Sequence, residues 1–142
     1  MLKRLFIGLL VSLCFLTAAE PGDFTLDNYF QLTKVRLQAA AIEWQARIAA
    51  AQQAKGDRKM LLTRSNAISK EYAGYHRQFH AKFGTNPITY MRFGTEHAKE
   101  IDSYLEENPQ VKQEIDSLRQ TVEGLMQTFD SISAPMLAGG QK

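Results

Sequence analysis

Between Asn108-Pro109 and Pro135 the chain places Val111, Ile115, Leu118, Val122, Leu125, Phe129 and Ile132 alternately four and three residues apart. That spacing returns an apolar side chain to the same face of an α-helix at every turn and cannot serve a strand, whose faces alternate every second residue. The run matches an a/d seam over three heptads, the pattern of a coiled coil. Asn108 is expected to cap this helix, Pro109 suits its first turn, and Pro135 is expected to end it, leaving Met136 to Lys142 as a flexible tail.

Two further stripes precede it. Phe30, Leu37, Ala41, Trp44, Ile48 and Ala51 share one face of a helix predicted from about Leu26 to Ala54, with Phe24 as a staple residue and Thr25 as its N-cap. Lys55-Gly56 closes that helix and Asp57 can cap the next, whose stripe is Leu61, Ser65, Ile68, Tyr72, Tyr75 and Phe79. So short a joint folds two long helices back on each other. Lys82-Phe83-Gly84-Thr85 is echoed by Arg92-Phe93-Gly94-Thr95, and each glycine is expected to end a helical turn. A short helix over Pro87 to Phe93 and another from about Glu96 to Glu107 follow from these breaks, unless one helix spans Gly94. No segment alternates like a strand between hairpin turns. The predicted fold is all-α: a small helical bundle with a long antiparallel N-terminal helical hairpin and a broken or kinked C-terminal helical pair. Whether residues 107–110 form a turn or a kink stays open at this level, and an apolar stripe without an internal partner would imply a homodimer.

The N-terminus places Lys3 and Arg4 before an apolar run from Leu5 to Leu16 and the small residues Thr17-Ala18-Ala19. This is the order of a secretory signal peptide over residues 1–19, cleaved before Glu20. The run is shorter than the roughly 20 residues that cross a bilayer. No transmembrane span is expected once it is removed. Leu13 before Cys14 is bulkier than a lipid-attachment motif allows. Residues 20–135 are then one domain in a periplasmic or secreted protein that has lost its only cysteine, and with it any disulfide or thiol chemistry.

Without Lys3 and Arg4, the 17 basic residues fall to 15 and balance the 15 acids. A neutral product gives no electrostatic reason to expect nucleic acid as a partner. The charges are nonetheless sorted: Lys34 to Arg92 holds 11 cations and three acids, whereas Glu96 to Asp130 holds nine acids and three cations. Attraction between helices of one molecule explains this most simply, and a bipolar surface for self-association is the other reading.

CxxC pairs, a dinucleotide fingerprint and a P-loop are absent. Ser65 or Ser69 upstream of His76 does not make a triad, so no enzyme and no cofactor are expected. The richest region surrounds the two FGT breaks. Tyr75, His76, Phe79, His80, Phe83, Tyr90, Phe93 and His97 are the candidate contact residues for a protein or peptide of the cell envelope, with Tyr90 and Phe93 least constrained by a helix. His76 and His80 are one turn apart and, with His97 and Glu100, could ligate zinc or copper. Extrapolating the stripe places His76 beside the seam and His80 farther outward. The resulting expectation is a non-enzymatic helical accessory protein, with a self-assembling envelope component and a histidine-dependent metal binder as alternatives.

Overall fold

The computed structural model describes residues 24–139, all of whose regular structure is helical: α1 (Leu26–Ala54), α2 (Arg58–Lys82), α3 (Pro87–Glu96), α4 (Ala98–Glu107) and α5 (Pro109–Ala138). The leader, its cleavage point and Cys14 lie outside the described residues. Among these residues no helix is long and apolar enough to cross a membrane.

Local chemistry sets most boundaries. Thr25 Oγ1 accepts the Asn28 N–H, Asp57 Oδ1 accepts the Met60 N–H, and Asn86 Oδ1 accepts the Thr89 N–H ahead of Pro87. Each satisfies a donor that a helix start leaves without an intrahelical partner. Lys55 at φ 47° and Gly56 at φ 92° turn the chain between α1 and α2, and Gly84 at φ 65° turns it after α2.

The contacts order the helices. Arg47 reaches Ser69, His76 faces Glu43, and Gln53 accepts from Arg64, so α2 runs antiparallel to α1. Along the other side of α1, Tyr104 stacks on Phe30 at 4.5 Å, Glu114 meets Lys34 at 2.5 Å and Phe129 packs on Trp44 at 5.5 Å. These partners advance together, so α5 runs parallel to α1. The joint at Asn108 is therefore a bend that feeds α5 along α1, and α4 and α5 do not pack as a hairpin. α1 lies between α2 and α5, which meet only near the first turn of α2, where Phe129, Ile132 and Met136 pack against the cluster that holds Leu61.

With a neighbour on each side, α1 buries two faces. Leu32, Val35, Ala39 and Ile42 are also buried, and only Asp27, Gln45, Gln52 and Gln53 of the helix are exposed. The single predicted stripe is the face toward α5, while a second apolar face meets α2. Every member of the predicted α2 and α5 stripes is buried or half-buried, and each helix also buries one polar residue outside its stripe, His80 and Ser133 respectively.

Three boundary expectations are corrected. Asn108 gives no side-chain cap to α5; its Nδ2 donates back to the Tyr104 carbonyl at 2.8 Å and closes α4. Pro135 does not end α5, which continues to Ala138. Met136, in the continued turn, packs against the buried Ala51, Ala54 and Leu61, a contact that offsets the lost backbone bond. Gly94 does not end α3 either. A Cβ there would stand 2.9 Å from Tyr29 Oη, so the glycine serves a close approach, and the pause falls at His97.

Gly94→Val is accordingly expected to destabilise the fold by about 1–3 kcal/mol through overpacking. Gly124→Ala, where an added Cβ meets nothing within 4 Å, is expected to stabilise by about 0.5–1 kcal/mol through lower backbone entropy. Denaturant melts of the two variants should move in opposite directions; a shared direction would contradict this account of Gly94.

Candidate functional site

The aromatic and histidine region forms where α3 crosses the N-terminal half of α1 beside the end of α2. Tyr90 is its centre, 8% exposed. Its ring stacks on Tyr29 at 4.8 Å, meets Phe24 edge-on at 6.5 Å and lies 4.2 Å from the Arg36 guanidinium carbon. The Thr33 hydroxyl donates its one proton to the Tyr29 carbonyl at 2.6 Å. The Tyr90 hydroxyl, 2.7 Å away, is therefore the donor in its bond to Thr33 Oγ1. Burial and the neighbouring Tyr90 push the Tyr29 phenol up to about 12.

Phe93 is half-buried, stacked on Tyr29 at 5.5 Å, with Phe24 edge-on at 5.1 Å and His97 stacked on it at 4.2 Å. Phe79 is buried among Leu32, Val35 and Ala39, and Tyr75 and Phe83 pack against that cluster. The Tyr75 hydroxyl donates to Glu71 at 3.1 Å. Tyr90, Phe93, Gly94 and His97 thus form the inner row of α3 and its exit, and the outer row is different. Ile88 and Met91 are 70% and 67% exposed. Both rows have apolar residues three apart; the glycine aligned with Tyr90 was the signal that separates them.

His80 does not point outward as the stripe suggested. It is 2% exposed because α3 covers that flank, with Tyr90 edge-on at 5.8 Å. Its Nδ1 lies 2.6 Å from the His76 carbonyl, which can only accept, so the neutral ring carries its proton there and leaves Nε2 enclosed without a partner. His76 Nε2 stands 4.0 Å from Glu43. His97 Nδ1 is 3.2 Å from the exposed Glu100 but not in hydrogen-bond geometry. The histidines therefore serve two separate neighbourhoods, and among the described residues no three metal-ligating side chains gather around one point.

Burial holds both His76 and His80 below the ordinary imidazole value of 6.5, with the Arg36 charge acting in the same direction and Glu43 opposing it at His76. Between each lowered folded pKa and 6.5 the unfolded chain binds more protons. Stability contributed by the neutral rings is therefore present above 6.5 and lost as pH falls below it. At the alkaline end, Tyr29 and Tyr72, both pushed to about 12 chiefly by burial, reverse the sign, and stability declines as pH rises from 10 toward 12. Chemical denaturation across pH should give this dome, and His80→Leu should flatten its acid side. An unchanged acid slope in that variant would remove His80 from the account.

Comparison with known protein families, curated proteins and solved structures finds no match for this chain.

Proposed function

We propose that this chain is a non-enzymatic, extracytoplasmic helical accessory protein that captures a protein or peptide along the outer face of α3. The observation that carries the reading is the pair Ile88 and Met91, the two most exposed large apolar side chains among the described residues. They sit on a ten-residue helix whose other apolar row anchors it to α1. Apolar side chains held in solvent on an anchored helix supply the centre of a contact surface. Arg92 and Glu96, both exposed, give that centre a polar rim. The extracytoplasmic setting rests on the leader pattern of residues 1–19.

Tyr90 and Phe93 support this face from beneath, so substituting them would confuse capture with folding. The test is an Ile88→Ser, Met91→Ser double variant, whose side chains contribute little to the core. Its melting temperature should stay near that of the wild type, while the proteins that co-purify from envelope extract, quantified by mass spectrometry, should lose at least one wild-type partner. An unchanged partner set with intact helicity rejects the α3 face.

A further inference from the structure

α2 carries six cations and one acid, Glu71. Arg58, Lys59, Arg64, Lys70 and Arg77 are exposed, and among the described residues none of the α2 lysines or arginines makes an ion pair. Arg64 bonds only the neutral Gln53 side chain. On the far side of α1, α4 and α5 together carry eight acids and three cations. Asp102, Glu106, Glu107, Glu123 and Asp130 there are exposed and have no ion-pair partner among the described residues.

Attraction between the two charged segments within one molecule would require α2 to lie against α4 or α5. Instead α1 separates them, and the ion pair that joins the acidic side to the rest, Lys34–Glu114, uses a cation of α1. The molecule therefore has a basic edge of net +5 and an acidic edge of net −5 on opposite sides of its middle helix. The basic edge is the 25 residues of α2, and the acidic edge runs over the ten residues of α4 and the 30 of α5.

We propose that the α2 edge of one copy docks on the α4–α5 edge of a second copy, giving a salt-sensitive, head-to-tail assembly. A second copy is the occupant that uses both edges. An anionic membrane would satisfy α2 and leave the acidic edge without a role. Docking different patches of identical chains is heterologous and continues to a ring or filament, unlike a twofold dimer. The reading is independent of the α3 face, and the Ile88→Ser, Met91→Ser variant is expected to assemble as the wild type does.

The test is sedimentation velocity of the purified protein over a concentration series, at about 10 mM salt, where charge acts over roughly 30 Å, and at about 1 M, where it acts over roughly 3 Å. Average mass should rise with concentration at low salt and return to the monomer at high salt. Two charge-reversed variants sharpen it. Lys59→Glu, Lys70→Glu, Arg77→Glu makes both edges acidic, and Glu107→Lys, Glu123→Lys, Asp130→Lys makes both basic. Every substituted side chain is exposed, and circular dichroism should show unchanged helicity. Each variant alone should stay monomeric at low salt, and an equimolar mixture should associate. A wild type that is monomeric at all concentrations, a variant that assembles alone as the wild type does, or a mixture that stays monomeric overturns the proposal. Wild-type monomers that bind phosphatidylglycerol vesicles without self-associating overturn it in favour of a lipid surface.

Discussion

Tyr90→Ala is expected to cost the fold about 3–5 kcal/mol, the range for deleting a large buried aromatic side chain. Three kinds of contact are lost together: stacking on Tyr29, the guanidinium of Arg36 over the ring, and the hydrogen bond donated to Thr33. Tyr90→Phe separates them, because it keeps the ring and removes only the donor, at an expected cost of about 1 kcal/mol. Equilibrium urea unfolding of both variants checks the ordering. If the alanine variant lost no more than the phenylalanine variant, α3 would not be held by this ring, and the outer face of α3 would have no fixed support.

At the opposite end of the molecule, Leu61→Ala is expected to cost about 2–5 kcal/mol, the usual range for leucine truncated in a core. Leu61 is 1% exposed in a cluster with Ala51 and Ala54, against which Phe129, Ile132 and Met136 pack. The neighbours contributed by α1 are methyl groups on a continuous helix and cannot swing inward to fill the space. The loss should therefore fall toward the upper part of that range. Leu62→Ala is the control, since Leu62 is 45% exposed and its truncation should change stability by no more than about 0.5 kcal/mol. Equal losses at the two neighbouring positions would show that the register of α2 against α1 is wrong.

How much of this could be read from residues alone depended on how many neighbours each helix has. α2 and α5 each lie against one main partner, so burial writes a single stripe into their sequences, and those stripes were legible. α1 has a neighbour on both sides. Leu32, Val35, Ala39 and Ile42 face one of them and Phe30, Leu37, Trp44 and Ile48 lie on the other side, so a single stripe accounts for only part of what the helix buries. His80 was misplaced for a related reason. Its position on α2 is outside the seam with α1, and only the later return of α3 across that flank encloses it.

Gly94 and Asn108 illustrate a different ambiguity. A glycine can end a helix or admit a ring, and an asparagine can cap forward or bond backward; the local sequence is the same in either case, and the tertiary neighbour decides. For the candidate site, the aromatic and histidine residues were legible as a group through their density around the glycine breaks. Their division into an anchoring row and the exposed pair Ile88 and Met91 was not, because a ten-residue helix with two apolar rows has no preferred inner side until another element covers one.

The seam between α1 and α5 contains the protein's only tryptophan, Trp44, with Phe129 at 5.5 Å and Arg47 above its ring. α5 also covers Leu61 of α2, so parting α5 from α1 would uncover that end of the N-terminal hairpin as well as hydrate the indole. The indole is therefore a built-in optical reporter of the α1–α5 seam: its emission follows any event that parts those two helices.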